Sequence, residues 1–275
     1  MTRTTNYPMT LEDVRRIAPS VFAEHPWEGV SDRYSFIPTV NVVQSLMAEG
    51  WDVMKATQQK TRIEGKGDFT RHLLRFRQNG ADLVVGDSFP EIVLINSHDR
   101  GSAYQMHAGF FRLVCGNGLI IADSTFAKIS IRHHGRILDD VRYGAQAITE
   151  NLPKMIEGVK GMQTVDLTPD ERGVFARSAI ALKYDENPPV TPEKILEPRR
   201  YGDKKNDLWS TMNTVQENLL KGGVRYLKPA SRDEEGNYIP SQRRRTRPVN
   251  SIHEDVRLNK ALWTLAEEMK RLKVA

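Results

Sequence analysis

The sequence has little cysteine, no long apolar run and no apolar segment at its start. Its single cysteine, Cys115, cannot form an internal disulfide, which is typical of proteins in a reducing compartment. No apolar stretch approaches the roughly 20 residues that a membrane-spanning helix needs. Residues 1–16 lack the apolar core of a secretory signal. These absences predict a cytoplasmic protein that does not contact a membrane.

The common motifs for phosphate binding and serine hydrolysis are also missing. The Gly-Lys-Gly at 65–67 lacks the spacing of a phosphate-binding loop, and the Lys-Gly-Gly at 221–223 ends a predicted helix instead of starting one. No Gly-x-Ser-x-Gly occurs, so the sequence contains no standard serine hydrolase site. We expect no cofactor.

Positive charge is concentrated in one part of the chain. The net charge is +5, and between Arg199 and Arg247 there are 12 Lys or Arg against 6 Asp or Glu. A local basic segment is typical of a protein that meets polyphosphate, although a solvated loop has the same composition. The total charge therefore reflects one segment and not the whole surface.

Apolar periodicity predicts an α+β fold with a central antiparallel β-sheet flanked by helices and a C-terminal helical region. Thr10 is expected to cap the first helix, and Thr39 or Asn41 the second, which Gly50 ends. We predict an α+β core domain over 1–185 and a basic, partly mobile segment over 186–275, whose two helices pack back on the core. The predicted helices cover 11–18, 39–50, 141–159, 168–184, 208–219 and 253–272, with strands in the middle third.

An alternative hypothesis is an enzyme whose site contains Cys115, His98, Asp99 and His133. These residues would act as a cysteine-dependent or a metal-dependent hydrolase site. The apolar neighbours of Cys115 favour burial of its thiol instead. The adjacent rings of His133 and His134 point to opposite faces of a strand and cannot easily hold one ion. We therefore predict neither catalytic residues nor metal ligands, and leave the enzyme reading open as an alternative.

Basic residues predict a nucleic-acid interface. Arg71, Arg75 and Arg77 occupy one face of a predicted strand at a period of two residues, so they could line a groove over the sheet. Arginine suits phosphate and stacks on bases. Trp51 or Tyr143 could stack a base, although Trp51 also fits the core. The full predicted set is Arg71, Arg75, Arg77, Arg100, Arg132, His133, Arg136, Lys204, Lys205, Arg243, Arg244, Arg245 and Arg247.

Three stretches, NSHDRGSAYQMHAGFFRLVCGNGLI, DLWSTMNTVQENLLKGG and LNKALWTLAEEM, resemble a phage- and plasmid-borne protein family of unknown function. Its members share an Asn-Ser-His-Asp-Gly-type loop, an Arg-x-Val-Cys-x-Asn-Gly hairpin and a later Arg-His, here at 96–99, 112–118 and 132–133. One departure is Gly116, where Ser or Thr is more usual. The resemblance covers roughly residues 35–270. It implies a mobile-element origin and a bacterial host cytoplasm, but no reaction.

A second resemblance concerns the order of elements. The stretch LMAEGWDVMKATQQK, followed by strands and a helix near Val141, is similar in pattern to the core of phage single-strand annealing proteins. That fold implies a basic groove over a sheet and rings on single-stranded DNA. This is an analogy at the level of the fold.

Taken together, these patterns predict a mobile-element protein that binds single-stranded DNA in replication or recombination. Annealing of single strands is an extension of the same prediction. The rivals are a cysteine- or metal-dependent hydrolase built on the central hairpin and an inhibitor of a host defence protein. A homo-oligomer is compatible with the apolar helix faces at 208–219 and 256–265, which could also pack within one chain.

Overall fold

The computed structural model describes residues 7–28, 36–80, 88–102, 104–112, 117–120, 129–131 and 137–274. The chain forms two compact units, residues 1–156 and 157–275. The domain boundary predicted at residue 185 stays a prediction.

The six predicted helices and strands in the middle third are present, and the structure adds a short helix at 192–195 and four short strands between 225 and 245. The helices are α1 (Leu11–Ile17), α2 (Thr39–Ala48), α3 (Ile137–Gln163), α4 (Pro169–Lys183), α5 (Pro192–Ile195), α6 (Leu208–Lys221) and α7 (Ile252–Val274). The strands are β1 (Trp51–Gln58), β2 (His72–Gln78), β3 (Ser88–Asn96), β4 (Tyr104–Arg112), β5 (Asn117–Ile120), β6 (Ile129–Ile131), β7 (Arg225–Lys228), β8 (Ser231–Arg232), β9 (Tyr238–Ile239) and β10 (Gln242–Arg245).

The first unit contains an antiparallel sheet, which confirms the predicted α+β class. Within the described residues the strand order is β1-β2-β3-β4-β5, and β6 also pairs with β4. Rows of buried apolar side chains cross one face, for example Phe76, Ile92 and Ala108. The alternation of each strand places these residues on the same side, where their burial stabilises the sheet. Helices α1 and α2 both contact β1.

The capping predictions succeed for α1 and fail for α2. Thr10 and Asp13 form a reciprocal capping box at the start of α1. Helix α2 is instead preceded by Pro38, which has no side-chain cap, so the prediction that Thr39 or Asn41 caps it was wrong. The Thr39 hydroxyl is buried and bonds to side chains of the sheet, a tertiary contact that local sequence rules do not anticipate.

The second unit is built around α6. The predicted apolar face of Leu208, Met212, Val215 and Leu219 is buried, and so are several polar residues on its other sides. Helices α4 and α7 contact α6 and each other. In α4 the predicted Thr168 cap and Pro169 at the first helical position are confirmed. Helix α3 starts at Ile137, before the predicted position, and continues through Pro153.

None of the helices in the described part of the chain is long and apolar enough to cross a membrane.

Candidate nucleic-acid interface

Residues 225–245, within the segment predicted to be basic and partly mobile, form a long antiparallel hairpin. Strands β7 and β10 pair at its base, and β8 and β9 pair near its tip. Pro229 and Pro240 separate the two pairs, since proline cannot donate to a strand ladder. All side chains from Leu227 to Tyr238 are exposed. The hairpin therefore has little core of its own and is held by its base. We call the pair β7 and β10 the basic ribbon.

The base of the ribbon is fixed to the end of α6. Gly222 ends α6 with φ 62° and ψ −149°, a conformation that is essentially restricted to glycine. The Gly223 N–H donates to the Thr246 carbonyl at 2.8 Å, and the Thr246 N–H donates to the Val224 carbonyl at 2.9 Å. These bonds close the ribbon at the point where the chain leaves the helix, which confirms the prediction that Gly222 and Gly223 end α6.

Lys183, the last residue of α4, adds a second attachment. Its ammonium group donates to the carbonyl of Leu219, at 2.5 Å, and to that of Arg247, at 3.1 Å. Burial lowers the pKa of Lys183. The ribbon is thus attached to two helices of the second unit, which holds the backbone at its base in a defined position.

The pairing register divides the ribbon side chains between two faces. The outer face carries Arg225, Leu227, Arg243 and Arg245, all exposed. The inner face carries Tyr226, Lys228, Gln242 and Arg244, of which Tyr226 and Gln242 are only half-exposed. Burial, with a smaller effect from Tyr226, raises the pKa of Tyr184 at the end of α4, so the inner face lies towards that helix.

The outer face has a like-charged pair directly across the ribbon. Arg245 is the register partner of Arg225, and Arg243 follows on the same face opposite Leu227. In the described part of the chain none of these three arginines forms an ion pair with a carboxylate. The three acidic residues of the hairpin, Asp233 to Glu235, lie in its distal turn, where Asp233 accepts hydrogen bonds from Asn237. The outer face is therefore positively charged and open to solvent.

The structure gives a carboxylate partner to two of the three arginines predicted to line a groove over the sheet. Arg75 is buried, and its Nε lies 3.1 Å from the Glu91 carboxylate, while an Arg77 Nη lies 2.8 Å from the same group. Each guanidinium also stacks on a phenylalanine, Arg75 on Phe111 and Arg77 on Phe89. Burial raises the pKa of Glu91, and the two guanidinium groups act against that shift. We therefore leave Arg75 and Arg77 out of the proposed interface.

The remaining predicted residues that the structure describes lie outside the ribbon. Arg71 lies just before β2, and its guanidinium donates to the Gly101 carbonyl. Arg100 is exposed, in the β3–β4 turn, with a φ of 64°. Lys204 and Lys205 are exposed near the short turn 201–203, where Lys204 lies over the Tyr201 ring. The other positions, Arg132, His133 and Arg136, lie outside the described residues.

The sequence offers two aromatic residues, Trp51 and Tyr143, for base stacking. Trp51 is buried, as its alternative assignment to the core requires, whereas Tyr143 is 73% exposed on α3. Two further tyrosines are also exposed in the second unit, Tyr201 at 86% and Tyr238, at the hairpin tip, at 69%. Exposed aromatic rings beside basic residues are suited to stacking on unpaired bases.

The enzyme alternative has only part of its residues in the described structure. His98 is buried, with its Nε2 3.1 Å from the Thr39 hydroxyl, and Asp99 pairs with Lys66 at 3.0 Å. Cys115 and His133 lie outside the described residues. Within the described ranges, no three His, Cys, Asp or Glu side chains come together as metal ligands.

His98 belongs to a buried polar cluster at the start of α2. The Thr39 hydroxyl lies within 3.2 Å of polar atoms of His72, His98, Asn96 and Tyr104. Desolvation and the neighbouring His98 lower the pKa of His72 to about 3. A hydroxyl surrounded by four polar groups fixes α2 against the sheet, so we assign this cluster a structural role.

His72 makes folding stability depend on pH. The folded protein keeps the His72 ring neutral, whereas the unfolded chain protonates it near pH 6.5. The contribution of the neutral ring to the free energy of unfolding is therefore fully present above pH 6.5. That contribution declines as the pH falls from 6.5 towards 3, by about 2 kcal/mol at pH 5. Urea unfolding at pH 7 and pH 5 measures the loss, and NMR of the His72 ring measures its protonation. A ring that titrates near pH 6.5 in the folded protein would contradict this assignment.

Sequence reasoning identified Arg243, Arg244, Arg245 and Arg247 but missed their partner strand. Arg225 and Lys228 belong to the short stretch VRYLK, which is too short to predict a strand by alternation alone. The signal lay in its surroundings. Pro229 and Pro240 stand on either side of a Gly-Asn pair at 236–237, a combination that is typical of a hairpin turn between two strands.

The whole chain was also compared with known proteins. A family model described as a domain of unknown function, DUF932, matches residues 26–263. The chain belongs to the DUF932 family. Two relatives from Escherichia coli K12, the UPF0380 proteins YafZ and YfjQ, are each 39% identical over 263 residues, which is 95% of this chain and 92% of theirs. No solved structure matches the chain.

Family membership thus accounts for nearly the whole chain, as the resemblance in the sequence implied. The match covers the described sheet, helix α6 and the ribbon alike. It assigns no reaction or ligand, so the mobile-element origin and the likeness to annealing proteins stay predictions. For this DUF932 protein, function has to be argued from its side chains.

Proposed function

We propose that this DUF932 protein binds nucleic acid, with single-stranded DNA as its ligand, through the basic ribbon. The observation that carries the proposal is the outer face, where three exposed arginines lie together without a carboxylate partner in the described structure. Such a face attracts phosphate because each contact releases condensed counterions from the DNA.

The geometry of the ribbon supports a defined contact. Its base is hydrogen-bonded to α6 and held by Lys183, so the backbone of the ribbon needs little reorganisation on binding. Arginine presents a planar fork of donors that matches a phosphate group. The exposed Tyr238 at the hairpin tip is placed to stack on an unpaired base, which favours a single strand over a duplex.

A role in replication or recombination of a mobile element is compatible with this binding, and annealing of complementary strands extends the same proposal. Annealing needs two strands held together and so favours an oligomer. Size-exclusion chromatography with and without DNA measures that state. A protein that stays monomeric on DNA would limit the proposal to simple binding.

The proposal is tested by substitution of the three outer-face arginines, Arg225, Arg243 and Arg245, with glutamine. We expect binding to labelled oligo-dT of about 20 nucleotides to weaken roughly 100-fold, since each charged contact contributes on the order of 1 kcal/mol or more. Fluorescence anisotropy at salt concentrations between about 50 and 200 mM measures both affinity and its salt dependence.

A matched control removes three exposed positive charges elsewhere, by substitution of Lys154, Lys160 and Arg177 with glutamine. This variant has the same net charge as the ribbon variant, so it separates a local interface from a general charge effect. We expect it to bind nearly as tightly as the unchanged protein. Equal weakening of both variants, or no binding by the unchanged protein at low salt, would overturn the proposal.

A further inference from the structure

The cross-strand pair Arg225 and Arg245 is an unusual arrangement for a short ribbon. Residues directly opposite each other in an antiparallel pair have Cβ atoms about 4.5–5.5 Å apart, and like charges there destabilise the pairing. Both side chains are exposed, and in the described part of the chain neither forms an ion pair with a carboxylate. The pair is one of only four register pairs in the ribbon.

An anion placed between the two guanidinium groups would convert the repulsion into attraction. A phosphate carries several acceptor oxygens, and charge-assisted hydrogen bonds from arginine to phosphate are short and strong. Arg243, two residues along the same face, lies beside this position and extends the positive surface along β10. Leu227, opposite Arg243, is 62% exposed and offers an apolar contact next to the charged pair.

The inner face lacks these features. Arg244 donates from Nε to the Gln242 side-chain oxygen at 3.0 Å, so its guanidinium already has a protein acceptor. Its register partner is the half-exposed Tyr226, which lies near Tyr184 at the end of α4. The three consecutive arginines 243–245, which look equivalent in the sequence, are therefore divided between two different environments.

We propose that Arg225 and Arg245 form a phosphate-binding pair, in which one backbone phosphate of the nucleic acid bridges the two guanidinium groups. In this arrangement Arg243 contacts the next phosphate along the strand, and Arg244 makes no phosphate contact. The assignment rests on the proposed nucleic-acid binding and identifies which residues of the ribbon carry it. The ligand class is a phosphodiester, and inorganic phosphate carries the same recognition chemistry.

The experiment compares two charge reversals at neighbouring positions, Arg245→Glu on the outer face and Arg244→Glu on the inner face. Both change the net charge by the same amount, so long-range electrostatics affects them equally. Arg245→Glu places a carboxylate opposite Arg225 and closes the phosphate position. We expect Arg245→Glu to weaken oligo-dT binding at least about tenfold more than Arg244→Glu does. We also expect the slope of log binding constant against log salt concentration to be smaller in magnitude for Arg245→Glu, by roughly 0.7 or more.

A second readout does not depend on DNA. Inorganic phosphate is expected to raise the unfolding temperature of the unchanged protein and of Arg244→Glu, because it binds the pair in the folded state alone. It should have no such effect on Arg245→Glu, whose own unfolding temperature in phosphate-free buffer should not fall, since opposite charges across a ribbon stabilise it. A conservative variant, Arg245→Lys, should retain part of the phosphate effect.

The possible outcomes separate the two proposals. Equal loss of DNA binding in Arg244→Glu and Arg245→Glu, or an unchanged phosphate effect in Arg245→Glu, would overturn the paired site and leave ribbon binding in place. Absence of oligo-dT binding by the unchanged protein would overturn both. A lower unfolding temperature of Arg245→Glu without phosphate would show that the two arginines do not repel each other, and would also overturn the pair.

Discussion

Substitution of Glu91 with glutamine is expected to lower the free energy of unfolding by about 3–5 kcal/mol. Glu91 is the carboxylate shared by Arg75 and Arg77, and its side chain is 1% exposed, against 6% and 13% for the two arginines. A neutral amide would leave the buried Arg75 and the partly buried Arg77 without their shared counter-charge. Urea unfolding followed by circular dichroism measures the change.

The control is Glu49→Gln, which removes a carboxylate from a surface ion pair. Its partner Arg142 is 52% exposed, and such pairs contribute about 1 kcal/mol or less. A loss of less than about 1 kcal/mol on Glu91→Gln would contradict the charge cluster, because it would mean that the buried arginines do not depend on that carboxylate.

Gly222→Ala is expected to have the second large effect, a loss of roughly 3 kcal/mol or more. Gly222 has a backbone conformation that is nearly restricted to glycine, and an added Cβ would lie 2.6 Å from the Arg247 carbonyl carbon and oxygen. These are backbone atoms at the base of the ribbon, so they cannot move aside without breaking its attachment to α6. Thermal unfolding and hydrogen exchange of the ribbon amides measure the effect.

Gly223→Ala is the matched control, one residue further along. Gly223 also has a positive φ, 79°, but an added Cβ there would meet no atom within 4 Å. Only the conformational cost remains, about 1 kcal/mol. Similar losses at the two positions would show that the close approach to Arg247 does not matter.

Much of the fold could be predicted locally. The helix signals at Thr10 and Thr168 are short-range hydrogen bonds between residues three apart, so the sequence specifies them directly. The same local reasoning failed at Thr39. Its hydroxyl could have capped α2, but contacts with residues more than 30 positions away were more favourable in the folded chain.

The candidate site was predicted in part. The local excess of positive charge identified the correct segment, since charge is a property of the sequence alone. Period-two alternation also placed Arg75 and Arg77 on one face of a strand correctly. It could not show that Glu91 lies opposite on the next strand, because that depends on which strands pair and in what register.

By itself, the amino-acid sequence determined the helices, the antiparallel sheet and the segment that carries the positive charge, because periodicity, capping and composition act over a few residues. Tertiary structure alone decided which arginines face solvent. It paired Arg75 and Arg77 with a buried carboxylate from a neighbouring strand, and it placed Arg225 opposite Arg245 on an exposed ribbon. The physical reason is that the charge state of a surface depends on contacts between residues distant in sequence, which only strand pairing and register establish.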